Sequence, residues 1–417
     1  MAADVVIAGA GPAGSAAAHV LAAAGADVIV LERSHFPRDK ACGDGVTPHA
    51  VRILEDMGVR LESFGGSAAS TYGGLICGPG GGMFAADPPP DPQGAPLASW
   101  VVPRQRLDAE IARAAQRAGA RLREGTAVTN VIFDKGVACG VELSDRGACQ
   151  RINAKVVIGA DGAHSAVARS LGIRPNPVRH IGYALRGYYD NVDGLSDKLE
   201  IYYYSRALLP GYGWVFPLGP RRANVGVGIY MGELRRTGRR LRDILEEFIA
   251  LAPGLANRFA AAKASARPTG WPLPVSTAGR PTVFDGALLA GDAASLVDPL
   301  TGEGIFTALV SGQSAGRAAM QALRAAKATR HVLASHERDW KSIAGGYLSA
   351  GRVLKNFAKS ARLFDLVVEL AARNPYYASR AIGYGLGTLD RRRALRSIVA
   401  KAAFNPRFFI SAHSAGA

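Results

Sequence analysis

The chain has 417 residues, enough for two or three structural units at about 150 residues each. Its 50 Lys+Arg against 34 Asp+Glu give a net charge of +16, and 48% apolar residues exclude a disordered chain. No apolar run reaches the roughly 18 residues of a membrane span, no basic stretch precedes the first apolar run, and the four cysteines form no C-x-x-C pair; a spanning protein, a secreted protein and a disulfide or zinc scaffold are therefore not expected.

The first elements read strand, turn, helix, strand. Asp4-Val-Val-Ile-Ala8 is a short buried strand, and Gly9-Ala-Gly-Pro-Ala-Gly14 is the turn. An Ala-rich helix runs from Ser15 to Ala24, and Asp27-Val-Ile-Val-Leu31 is a second strand ending at Glu32. Residues 33–50 and 79–96 are Gly- and Pro-rich and are expected to be loops. A helix follows from Arg104 to Ala118. Residues 126–157 alternate like hairpin strands and lead into Gly159-Ala-Asp-Gly162.

Near residue 176 the composition turns to aromatic and β-branched strands. An antiparallel sheet is expected over 176–275, with one helix near 240–260. Residues 284–305 return to strand–turn–helix, and the chain reads helical from Ile305 on. The fold class expected is α/β. A doubly wound cofactor domain (1–175 and 276–330) would carry an antiparallel substrate sheet (176–275) and a basic helical C-terminal region (331–417).

Four motifs carry chemistry. Gly9-x-Gly11-x-x-Gly14 follows a strand and opens a helix, 18 residues before Glu32. Gly9 permits the tight turn, Gly11 lets backbone approach a pyrophosphate, and Gly14 lets helix pack on sheet. The helix N-terminus offers N–H groups to phosphate, and Glu32 would accept from ribose hydroxyls. The second motif is Gly291-Asp292, followed by Pro299-Leu-Thr-Gly302-Glu-Gly304-Ile305. Asp292 suits a polyol chain, and the helix opened by Gly302 and Gly304 would face a developing negative charge. A flavin needs both and a nicotinamide dinucleotide does not, so the cofactor expected is FAD. Asp161-Gly162 at a strand end and Arg104 at a helix start are two further candidates. Arg104 is expected to reach the pyrophosphate or the flavin edge.

Together these motifs resemble the FAD-dependent fold of the para-hydroxybenzoate hydroxylase class. Pro37-Arg-Asp-Lys40-Ala-Cys42-Gly43-Asp44-Gly45 is similar to the K-x-C-G-G/D segment of the geranylgeranyl reductase family. Tyr212-Gly-Trp214-Val-Phe216-Pro217 is similar to that family's Y-x-W-x-F-P signature. The likeness extends to actinobacterial members assigned to menaquinone side-chain reduction. It implies that reduced FAD saturates isolated double bonds of a polyprenyl substrate. It also completes the expected cofactor set with Pro12, Ala13, Arg33, Lys40, Cys42, Gly43, Ala127 and Val128.

An isolated alkene is not electrophilic, so hydride transfer needs a proton delivered nearly in step. Cys42 is the candidate donor or positioner, its plainer alternative being a small packing residue. Tyr212, Trp214 and Phe216 would share one strand face, as a channel for an apolar chain or as ordinary core. No second complete dinucleotide fingerprint is present, so NAD(P)H as electron donor would bind only transiently, and reduced ferredoxin is the alternative donor.

Other readings are weaker. An aromatic monooxygenase shares the fold. Halogenases carry W-x-W-x-I-P, which Tyr212 and Phe216 break. Gly312-x-Ser314-x-Gly316 matches the nucleophile elbow but lies within a helical run, so a hydrolase is not expected. Residues 341–417 hold 13 Lys+Arg and 3 Asp+Glu, +10 of the +16, with apolar patches at 364–370 and 404–410. Such a region suits an anionic membrane surface or is a solvated face. No nucleic-acid motif accompanies it. The setting expected is cytoplasmic, at the inner face of a membrane, with the oligomeric state open.

Overall fold

The structure is a computed structural model that describes residues 2–145 and 148–393. The first strand, Ala2–Ala8, lies at the centre of a sheet between Ala148–Gly159 and Val28–Leu31. Arg121–Arg123 extends one side and Ala287–Leu289 the other, all parallel. Val5, Val6, Ile7, Val156, Val157 and Leu288 are fully buried, as continuous apolar runs must be when both sheet faces are covered. The early half of Ala148–Gly159 instead pairs with Val137–Asp145 and, beyond it, Thr126–Asp134, giving the antiparallel ladder expected over 126–157.

Two helices cover one face of this sheet. Pro12–Ala23 returns from the glycine turn, and the long helix Ile305–Arg324 crosses it. The crossing is close because the long helix presents glycines there. A Cβ on Gly312 would lie 2.1 Å from the Ala13 carbonyl oxygen, and one on Gly316 would lie 2.8 Å from that of Ala17. The G-x-S-x-G pattern is thus a packing device. Ser314 between the two glycines donates to the His336 carbonyl at 2.7 Å.

The second sheet is larger than the sequence suggests. Ile181–Asp190, Arg222–Tyr230, Tyr212–Pro217 and Leu199–Tyr202 form its antiparallel body, with Thr269–Pro274 on the outer side. Gly74–Cys77 then joins parallel to Leu199–Tyr202, and Met83–Ala86 pairs beyond it. Both added strands come from the segment assigned by sequence to the cofactor domain. Met83–Ala86 also lies within the loop expected over 79–96. Its four residues follow three glycines and carry no alternation. What holds them is tertiary: Phe84 packs against Val368, Ala371, Ala378 and Ile382 of the C-terminal helices.

The expected loop over 33–50 likewise contains a two-residue strand, Gly45–Val46, and the start of the helix Pro48–Asp56. Helix Leu241–Leu251 covers the back of the second sheet, where Phe248 lies so close to Gly213 that a Cβ there would be 2.5 Å from its ring. The C-terminal region is helical through Gly346–Phe357, Ala361–Arg373 and Pro375–Gly385. The apolar patch at 404–410 lies outside the described residues. Among those residues, no helix is long and apolar enough to cross a membrane.

Candidate active site

Two cavities meet at the start of helix Pro12–Ala23. The more polar one, about 600 Å³, is lined by Gly9, Glu32, Arg33, Ala127, Val128, Asp161 and Trp271, among others. The more apolar one, about 240 Å³, begins at Pro12, Ala13, Gly291, Asp292, Gly302, Gly304 and Ile305. It passes Cys42, Tyr212, Trp214 and Phe216, and extends to Ile76, Leu199, Ile201, Ile382 and Leu386. Gly11, Lys40, Arg104 and Gly162 line both. Of the residues expected at the site, Gly14 and Pro299 line neither. A Cβ on Gly14 would lie 1.9 Å from the Gly9 carbonyl oxygen, so Gly14 serves helix–turn packing. The Pro299 carbonyl accepts from the Tyr230 hydroxyl at 2.5 Å.

The polar cavity is built by local chain geometry. Gly9 adopts φ +91°, which only glycine takes without strain, and its missing side chain makes room for the Ala160 carbonyl. Gly11 caps the helix with no side chain bonded to its first turn. A Cβ at Gly11 would find nothing nearer than Arg38 Nη2 at 3.8 Å, so an open cradle faces the helix N-terminus. Glu32 accepts from the backbone N–H groups of Ala10 (3.0 Å) and Ser34 (3.1 Å). Its carboxylate is thereby held at the cavity wall at the end of its strand. An N-terminal helix dipole, an open glycine cradle and an oriented carboxylate fit an adenine dinucleotide.

Asp161 and Arg104 line the polar cavity as expected, and their polar atoms are also engaged within the protein. The Asp161 carboxylate accepts from the Ser165 hydroxyl (2.5 Å) and the N–H groups of Ala166 (2.6 Å) and Val167 (3.2 Å), so it caps helix Ala166–Ser170. Arg104 is buried and forked onto Asp108 through Nε (2.7 Å) and Nη2 (2.8 Å), with Arg38 on the same carboxylate at 2.8 Å. Its guanidinium stands beside the Cys42 thiol, and burial keeps that thiol protonated by raising its pKa.

At the apolar cavity, Lys40 Nζ pairs with Asp292 at 3.0 Å. Gly304 caps helix Ile305–Arg324. The helix start is not wholly open, because Glu303 Oε1 accepts from the Phe306 N–H at 2.5 Å. Glu303 Oε2 is enclosed without a partner, and burial pushes its carboxyl up to about 7. The sequence signal was an acid between two cavity glycines.

Tyr212, Trp214 and Phe216 do share one face, with successive ring centroids 6.2 and 6.3 Å apart. A Cβ on Gly226 of the neighbouring strand would lie 2.3 Å from the Trp214 ring, so glycine makes room for the indole. Trp214 Nε1 donates to Asn224 Oδ1 at 2.9 Å. Asn224 in turn donates to the Cys42 carbonyl (2.8 Å) and to Asp44 (2.9 Å). Tyr188 donates to the same Asp44 oxygen at 2.6 Å. Burial raises Asp44 to about 6. Asn224, Asp44 and Tyr188 thus tie the Cys42 loop to the aromatic strand, a role the sequence did not reveal.

A model of the FAD binding domain matches residues 2–344. The chain belongs to that family. A menaquinone reductase of Mycolicibacterium smegmatis is 37% identical over 323 residues, 75% of each chain. A digeranylgeranylglycerophospholipid reductase of Methanopyrus kandleri is 33% identical, covering 81% of this chain and 86% of its own. Among solved structures, a geranylgeranyl bacteriochlorophyll reductase-like protein of Thermoplasma acidophilum superposes with a TM-score of 0.81 at 26% identity, over 92% of this chain and 96% of its own. A flavin-dependent brominase at 23% identity and a TM-score of 0.78, over 96% of this chain and 100% of its own, shares the fold. The likeness to geranylgeranyl reductases read from the sequence is borne out. This member of the FAD-binding family is an FAD-dependent oxidoreductase.

Proposed function

We propose that this flavoprotein saturates isolated C=C bonds in a polyprenyl chain. The observation that carries the reading is the apolar cavity. It starts at the two glycine-opened helices expected to hold the flavin and runs between the aromatic strand and the C-terminal helices. Its far wall is aliphatic, with Ile76, Leu199, Ile201, Ile382 and Leu386, which suits a flexible hydrocarbon chain better than a polar aromatic acid. The relatives' names point the same way.

Bound FAD would supply the hydride. Gly11, Glu32, Asp292 and the first turn of Ile305–Arg324 would hold the cofactor. Tyr212, Trp214 and Phe216 would press the prenyl chain against it and exclude water. Cys42 Sγ, kept protonated by burial, would hold a proton on the same cavity wall. The test is a product mass spectrum after anaerobic chemical reduction with geranylgeranyl diphosphate or a menaquinone. Gain of H2 units is expected. No gain, with oxygen-dependent NAD(P)H consumption and an oxygen atom added to an aromatic substrate, would replace this reading with a monooxygenase.

We further propose that the protein works at the inner, anionic face of a membrane. Val367, Leu370, Tyr376 and Tyr377 are exposed on the C-terminal helices, with Arg362, Glu369 and Arg373 exposed on Ala361–Arg373. The helix bearing the two tyrosines also supplies Ile382 to the cavity, so the surface and the substrate channel share one element. Sedimentation with anionic but not neutral vesicles is expected, and equal behaviour with both would refute the assignment.

A further inference from the structure

We propose that Arg391 is a positioning residue for the flavin, acting on the cavity loop 298–304 from beyond the segment that matches the FAD-binding family. Arg391 is 1% exposed and its partner Asp298 is 0% exposed. Arg391 Nη1 donates to Asp298 Oδ2 at 2.8 Å. Its remaining nitrogens donate to the carbonyls of Tyr384 (2.7 Å) and Gly385 (3.2 Å), and its guanidinium lies 3.7 Å from the Tyr347 ring centroid. The side chain is therefore fully engaged and held in one orientation.

Asp298 is the root of the loop. The oxygen that meets Arg391 also accepts from the Thr301 N–H (3.0 Å) and hydroxyl (2.6 Å). The Thr301 carbonyl accepts from the Tyr212 hydroxyl on the cavity wall. Three residues on, Gly304 starts the helix Ile305–Arg324. The carboxylate has no room to move away: a Cβ on Gly351 would lie 2.2 Å from Asp298 Oδ1. Remove the guanidinium, and a buried charge is left without its ion-pair partner. Relief then comes from shifting the loop, and the uncompensated charge changes the electrostatics at the flavin. The matched family segment ends at residue 344, so this part of the site is supplied by the C-terminal helices.

The test uses the full chain and no prenyl substrate, so its outcome is independent of the reductase assignment. Arg391→Met, Arg391→Lys and the pair Arg391→Met with Asp298→Asn are compared for far-UV circular dichroism, FAD dissociation constant, visible flavin spectrum and reduction potential. Arg391→Met should fold, bind FAD roughly tenfold more weakly or worse, and shift the potential downward, because an uncompensated negative charge opposes reduction. The paired variant should recover most of the loss, and Arg391→Lys part of it. A folded Arg391→Met with wild-type affinity, spectrum and potential would overturn the proposal even if it melts earlier. Should that variant not fold, Arg391→Lys decides: a weakened, spectrally shifted flavin supports the role, and an unchanged one overturns it.

Discussion

The polar and apolar cavities share Gly11, Lys40, Arg104 and Gly162 but are assembled in opposite ways. The glycine cradle of the polar one is backbone, and side chains such as Arg33, Arg38, Asp161 and Trp271 complete its walls. A turn between two adjacent parallel strands sets Gly9, Gly11 and Glu32, all within 24 residues of one another. The apolar one is shape. Its walls come from residues 74–76, 199–201, 212–216 and 382–386, which meet only after the second sheet and the C-terminal helices have docked. Recognition of a charged dinucleotide needs oriented N–H groups, which a short motif can encode. Recognition of a hydrocarbon needs a contour, which no short motif encodes.

The sharpest break between the two halves is Gly11→Val. The added side chain meets open space in the protein alone, so the fold should survive while the pyrophosphate loses its place. FAD retention, read as flavin absorbance per protein, should be abolished; full occupancy would remove the cofactor assignment. Cys42→Ser should do the reverse, leaving FAD bound and slowing alkene reduction about a hundredfold if the thiol handles the proton. Unchanged single-turnover rates would take Cys42 out of the chemistry.

Gly74→Val probes contour, although the added Cβ would also lie 3.1 Å from the Leu199 carbonyl oxygen of the paired strand. A Cβ there would already lie 3.2 Å from Ile382 Cδ1, so the branched side chain should shorten the channel. We expect a roughly tenfold loss of kcat/KM for the longest prenyl chain accepted and little for the shortest. Equal losses across lengths would point to a distorted strand instead.

The smallest effect concerns Glu303, at the junction. Below pH 4.5 its carboxyl is protonated in folded and unfolded chains alike. From pH 4.5 to about 7 only the folded chain keeps the proton, so its contribution to stability falls across that window and then levels off. Glu303→Gln should therefore gain stability relative to wild type as pH rises through the window. Parallel thermal-melt profiles for the two proteins would show that the carboxyl titrates as it does in solution.

This asymmetry decides what was legible in the sequence. Gly9-x-Gly11-x-x-Gly14 and Glu32 announced the cofactor half because each residue acts through its own backbone or a partner one strand away. Tyr212, Trp214 and Phe216 were legible as one face because strand geometry alone sets that period. Met83–Ala86 was not, because its pairing with Gly74–Cys77 and its cover of C-terminal helix carry no local pattern. Asp161 and Arg104 were legible from motif position as cavity residues, but the helix start and the Asp108 carboxylate that hold them were not. Asn224, Asp44 and Arg391 escaped because the partners that give them their roles, Cys42 and Asp44, Tyr188 and Asp298, lie far off in sequence.

The order of strands in the first sheet also bears on how the protein is made. Ala2–Ala8 and its neighbour Val28–Leu31 are synthesised well before the neighbour on the other side, Ala148–Gly159, and that strand's outer neighbour is Ala287–Leu289. The apolar run of residues 5–8 therefore leaves the ribosome long before the strand that pairs with its second side. Until Ala287–Leu289 has emerged, the central sheet has a bare edge, a surface on which chaperones act and nascent chains associate.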